Sequence, residues 1–267
     1  MNGAAIQAVG TTTPARLHPK EHGAYAIVGV PLVVALVIGG LNTVAVLTII
    51  ATVAGFVANE PLMVILGRRG ERARLATPSA LLTLELLLLT AVLFGSAAFS
   101  LGSERVQAAL IACTFFAATG FAMSAFGWQR TFIAQVTGII GLTLPSAVVL
   151  LAGGIDSVAV VSLSAAWIIG RIATTTAVRS VVAYQKTSTH HRVPHINDLI
   201  LVSVVLAGAG GFFSGVSECL LITPLLASAI CLRLQPPLIR HMRRIGWSLL
   251  AVNLVSGLWM IVWFGTN

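Results

Sequence analysis

Long apolar runs dominate the chain, broken at intervals by glycine, serine, proline and arginine. Read by length, these runs predict helices over 23–40, 43–66, 79–101, 106–126, 132–153, 157–182, 197–215, 218–234 and 246–265. The shortest matches the roughly 17 residues that a helix needs to cross hydrocarbon. The breaks are of the expected kind: Gly39-Gly40, Gly102-Ser103, Gly153-Gly154 and Ser214-Gly215. The pattern therefore predicts an all-α, polytopic transmembrane bundle of about nine spans. Residues 1–22 read as a segment outside the membrane, and 23–267 as one helical domain.

Composition sharpens this. Of 267 residues, 57% are apolar and only 9% charged, with a mean hydropathy of +0.96. A soluble domain carries about 25% charged residues. A chain this poor in charge lacks a water-compatible surface, so lipid must solvate much of it. The stretch from Met1 to His22 has no apolar core and does not read as a cleavable signal peptide. Cys113, Cys219 and Cys231 lie in apolar runs without CxxC spacing, which excludes a disulfide framework or a zinc quartet and leaves small apolar fillers.

The net charge of +8 would point to nucleic acid in a soluble protein. Here no basic stretch is interleaved with aromatics, so the excess reads as loop charge and contact with anionic lipid. Arg16 and Lys20 precede the first run. Arg68, Arg69, Arg72 and Arg74 follow the second, Arg130 the fourth, Arg179, Lys186 and Arg192 the end of the sixth, and Arg233, Arg240, Arg243 and Arg244 the eighth. The alternate turns carry Arg105. The positive-inside rule then places the N-terminus and all the strongly basic loops in the cytoplasm and Asn267 outside. The expected location is a bacterial cytoplasmic (inner) membrane.

Ionisable groups within apolar helices are costly and are candidates for function. Glu60, Glu85 and Arg171 each lie several residues inside a run, roughly 10–14 Å below the cytoplasmic interface at 1.5 Å per residue. Their common depth predicts a shared, cytoplasm-facing pocket walled by the second, third and sixth spans, with Arg171 paired to one carboxylate. The plainer alternative is a structural ion pair. In Asn59-Glu60-Pro61, the proline frees a carbonyl and opens the helix beside Asn59 and Glu60. Four arginines within Arg68 to Arg74 offer bidentate phosphate contacts, or simply topogenic charge. Arg72 and Arg179 are candidates for the same role. Glu21 and His22 stand at the entry of the first helix, where they could transfer protons or hold a metal, or be solvated. His190, His191 and His195 lack a metal-site pattern. Trp128, Trp247 and Trp263 sit near run ends, as interfacial belt residues do.

Pro19-Lys20-Glu21-His22-Gly23-Ala24-Tyr25 resembles the opening of YwiC-like membrane proteins. The likeness continues at Asn59-Glu60-Pro61 with its arginine-rich loop, and at Arg244-Ile245-Gly246-Trp247. That family implies a multi-pass membrane protein and supplies no activity. A second, fold-level resemblance is to UbiA-type prenyltransferases, which have nine helices and an Asn-Asp-x-x-Asp motif at the end of the second. It implies a magnesium–diphosphate site. Asn59-Glu60 matches the start of that motif, but Met63 stands where the next acid belongs, and the sixth span has no acid.

These readings converge on a pocket for an anionic isoprenoid, such as an isoprenoid diphosphate, or for a lipid headgroup. Arg68, Arg72, Arg171 and Arg179 would hold phosphate, with Asn59 and Glu85 in the pocket. Glu60, helped by Glu21 or His22, would supply acid–base or magnesium-binding chemistry. The alternatives are a transporter for a small anionic solute, with Glu60 or Glu85 coupling protons, and a non-catalytic assembly factor. Membrane lipid is the expected partner in each case.

Overall fold

The computed structural model describes residue 17 and residues 22–186, 192–213, 217–236 and 242–266. Ten α-helices run in chain order: α1 (His22–Gly39), α2 (Thr43–Ile65), α3 (Glu71–Leu75), α4 (Ala80–Leu101), α5 (Glu104–Phe126), α6 (Phe132–Ala152), α7 (Ser157–Lys186), α8 (Arg192–Phe213), α9 (Thr223–Leu234) and α10 (Met242–Thr266). A 3-10 turn over Ser217–Ile222 leads into α9. No strand occurs among the described residues. All helices except α3 fall on predicted runs. The one-turn α3 lies within the arginine-rich loop, where the pattern predicted none.

Local chemistry sets the ends. Asn42 caps α2 by accepting from the Ala45 amide at 2.9 Å, and Thr131 caps α6 by accepting from Ala134 at 3.2 Å. The Asp156 carboxylate accepts from Val158 at 2.8 Å where α7 begins. Inside the helices, hydroxyls donate to carbonyls one turn back, as in Thr90 to Leu86 and Thr119 to Phe115. Such back-bonding lets Ser and Thr sit in an apolar medium without an orphaned donor.

Among the described residues, six helices are long and apolar enough to cross a membrane: α2, α4, α5, α6, α7 and α10. Three more apolar helices are shorter, over Tyr25–Gly39, Asn197–Gly211 and Cys219–Leu234. The chain is thus a multi-pass helical membrane protein.

The main core joins α1, α6, α7, the 3-10 turn, α9 and α10, through Val34, Ala35, Val149, Leu150, Leu163, Trp167, Leu221, Leu225 and Met260. Trp167 is wholly buried at its centre. A second cluster of Ala173, Ala177, Leu201 and Ala229 packs α7 on α8 and α9. Small residues let these backbones approach, which is how helices adhere in lipid. The closest approach is at the ends of α1 and α6, where a Cβ on Gly153 would strike the backbone of Gly39. Helix α2 packs along α4 and also touches α6. Helices α4 and α5 are the most exposed: α4 buries only Ala80 and Ala98, and α5 only Val106 and Ser124.

Side-chain contacts define two faces. On one, Arg68 touches the end of α5, Arg179 the start of α6, and Arg233 the start of α8. On the other, Arg105 at the start of α5 donates to Ser157 at the start of α7, 3.0 Å away. Arg68, Arg179 and Arg233 therefore gather on one basic face. The predicted wall of α2, α4 and α7 does not form. Helix α6 stands between α2 and α7, and among the described residues α7 has no extensive contact with α2 or α4.

Candidate functional site

The basic face is built from the turn after α2. Gly67 and Gly70 adopt positive φ of 68° and 95°, a region that β-carbons disfavour. The chain folds back on itself there: Arg68 N donates to Met63 O at 2.9 Å and Gly70 N to Gly67 O at 2.9 Å. This fold-back returns Arg69 to Glu60, nine residues earlier. Its Nε and Nη2 donate to the two Glu60 oxygens at 2.8 and 2.6 Å. Glu60 is buried, while Arg69 is half exposed. The buried carboxylate thus has a bidentate cation, the geometry in which burial is best compensated.

Arg68 turns the other way. Its Nη2 donates to Ala125 O at 2.7 Å, at the C-terminal end of α5, where carbonyls lack helical partners. Gly127 ends that helix with φ 80°, and a Cβ there would press on the Arg68 guanidinium. Arg179 reaches the far side of the same turn. Its Nη1 donates to Gln135 Oε1 at 2.9 Å and lies 3.5 Å from Arg130 O, and its guanidinium stacks over Phe132 at 5.5 Å. Arg68 and Arg179 thus hold opposite ends of the α5–α6 turn. Arg72 is exposed on α3, next to an exposed Glu71–Arg74 pair at 3.7 Å.

The expected pairing of Arg171 is corrected. Arg171 is buried, 3% exposed, yet its hydrogen-bond partners among the described residues are all neutral. Nη1 donates to Ile27 O at 2.6 Å and to Thr143 Oγ1 at 3.2 Å. Nη2 donates to Asn253 Oδ1 at 3.3 Å and lies 3.5 Å from Ala26 O. The guanidinium lies over Trp167, 4.9 Å from the ring centre. The reason is local. Pro31 lies inside α1 and has no N–H to give Ile27, so that carbonyl is free. Arg171 therefore ties α1, α6, α7 and α10 together.

The shared pocket is corrected with it. Glu60 belongs to Arg69, and Glu85 is exposed on α4 with no hydrogen bond or ion pair among the described residues. Glu21 and the His22 side chain lie outside the described residues, as do His190 and His191. Asn59 is exposed on α2.

Sequence reasoning missed the partners. The sequence offers Arg69 as a phosphate contact or as topogenic charge rather than as a partner of Glu60, and it does not mark Thr143 and Asn253, although an asparagine within a long apolar run is itself a signal. The Asp198–Arg233 pair at 2.6 and 2.7 Å, which joins α8 to α9, was missed too.

A groove lies between α1 and α2, with a volume of about 200 Å³. It is lined only by Tyr25, Val28, Gly29, Leu32, Val33, Leu36, Ile49, Val53 and Phe56. Tyr25 and Phe56 meet edge to face at 5.4 Å at its lower end. On α2 the stripe Ile49, Val53 and Phe56 continues one turn later into Asn59 and Glu60, toward the basic face.

Among the described residues Glu60 offers magnesium no open oxygen. Both Glu60 oxygens are engaged by Arg69, and no group of three His, Cys, Asp or Glu could hold a metal among the described residues.

The family model described as YwiC-like protein matches residues 18–150. That span includes the Pro19–Tyr25 and Asn59-Glu60-Pro61 segments and ends within α6; the Arg244–Trp247 likeness lies beyond it. No curated protein and no solved structure matches the chain, so the UbiA-like likeness gains no support. The apolar helices, the opening motif and the match through α6 agree: this chain belongs to the YwiC-like family.

Proposed function

We propose that the protein binds an anionic lipid, with an isoprenoid or acyl chain in the α1–α2 groove and a phosphate headgroup at the basic face. The observation that carries this is the continuity of the α2 stripe. Apolar side chains line the groove and give way, one turn on, to exposed Asn59 and to the turn bearing Arg69 and Arg72. A wholly apolar lining suits a hydrocarbon tail. Exposed arginines suit phosphate oxygens. In this reading Glu60 holds Arg69 in place rather than acting as an acid or base, and the function is binding. The nine-span topology, with the basic face cytoplasmic in a bacterial inner membrane, belongs to the same proposal.

The test is calorimetric titration of the purified protein in detergent with a long-chain isoprenyl diphosphate, using the neutral isoprenol as control. The diphosphate should bind, and more weakly as salt rises, because exposed charge contacts are screened. Gly29→Phe should abolish binding without unfolding, since a Cβ on Gly29 meets open space. Asn59→Ala and Arg72→Ala should weaken it. Equal binding of the two ligands, no binding by either, or full binding by Gly29→Phe would overturn the reading.

A further inference from the structure

We infer that the outward face of α4 is a self-association surface, on which Glu85 of one copy meets Glu85 of a second. The positions Leu82, Glu85, Leu89, Val92, Ser96 and Phe99 follow a 3-4-3-4-3 spacing and are all exposed. This is the seam of a two-helix coil. Its flanks, Leu81 and Leu88 on one side and Leu86 and Leu93 on the other, are exposed and apolar as well. A seam of leucines alone gains little in lipid, because hydrocarbon solvates leucine as well as another helix does. Glu85 changes that. It is the seam's one ionisable residue, lies on α4's most exposed stripe and has no partner among the described residues.

A carboxyl group in hydrocarbon is costly until a hydrogen-bond partner reaches it. The choice of partner follows from symmetry. Two copies inserted with the same topology are related by an axis along the membrane normal, so each seam residue meets its own counterpart at the same depth. Glu85 then meets Glu85. A protonated carboxyl is both donor and acceptor, so two of them satisfy each other with no third group. One polar residue in such a seam also fixes the register. The inference uses the membrane setting alone and does not depend on the lipid reading.

The test is disulfide cross-linking in liposomes, in a background where Cys113, Cys219 and Cys231 are replaced by alanine. Leu89→Cys, on the seam, should cross-link to a dimer on oxidation, whereas Leu87→Cys, off the seam, should not. Adding Glu85→Leu should weaken dimerisation about tenfold, the scale of an interhelical hydrogen bond in lipid. Glu85→Gln, which keeps a donor and an acceptor, should retain it. Absence of the Leu89→Cys dimer, equal cross-linking at Leu87→Cys, or an unchanged dimer with Glu85→Leu would overturn the proposal. Cross-linking of Leu89→Cys to a different protein in native membranes, with no homodimer, would also overturn it.

Discussion

Arg171 donates to the carbonyl of Ile27, the one backbone acceptor in α1 that Pro31 strips of its helical amide. A proline defect in one helix is thus repaired by a cation from another. Arg171→Leu should leave Ile27 O and Asn253 Oδ1 buried without their donor, at about 1–3 kcal/mol each. Pro31→Ala should restore an amide to Ile27 and recover part of that loss. The double-mutant cycle, read from SDS-driven unfolding in mixed micelles, should show coupling of about 1 kcal/mol. Strict additivity would count against the repair.

Glu60 and Arg69 form the other deep contact. Arg69→Ala should strand a buried carboxylate and cost about 1.5–3 kcal/mol, the range for charged hydrogen bonds. Removing both partners should cost less than removing Arg69 alone, because no charge is then left in the protein. The same unfolding assay reads this. A double variant less stable than either single variant would contradict it.

The contact of Gly153 with Gly39 leaves no room for a side chain. Gly153→Ala should force α1 and α6 apart and cost about 1–3 kcal/mol, the scale of an overpacked core. Gly29→Ala, facing open space, should be close to neutral. Thermal stability in detergent distinguishes the two.

Topology is open to direct measurement. Reporter fusions should place Arg72 in the cytoplasm and the chain end after Trp263 outside, as the loop charges require of nine spans. A cytoplasmic C-terminal reporter would mean that one of the shorter helices, α1, α8 or α9, does not cross.

That Glu60, Glu85 and Arg171 lie within helices was legible in the sequence, and direction around each helix was not. Counting residues from a run's end places Glu60, Glu85 and Arg171 at similar levels, because rise per residue is fixed. Rotation depends on which neighbour a helix chooses. Glu85 is exposed on α4, while Arg171 reaches α1 and α10. The rule that a buried cation needs an anion also misled. Three neutral acceptors and an indole face serve Arg171 instead. Helix ends were better marked: Asn42, Gly127 and Thr131 flank the predicted runs 43–66, 106–126 and 132–153, and Gly153 lies in a predicted break. Helix α3 escaped because five residues make too short a period to recognise.

The two walls of the α1–α2 groove are anchored unequally. Helix α1 is fastened near both ends, by the glycine crossing with α6 and by the Arg171 grip on Ile27. Helix α2 has α4 as its main companion, and at its basic end the turn beyond it is tied by Arg68 to Ala125. The groove therefore lies between α1, held near both ends, and α2, whose main support is α4. A guest held there would press on the α2–α4 pair on one side and on the pinned α1 on the other.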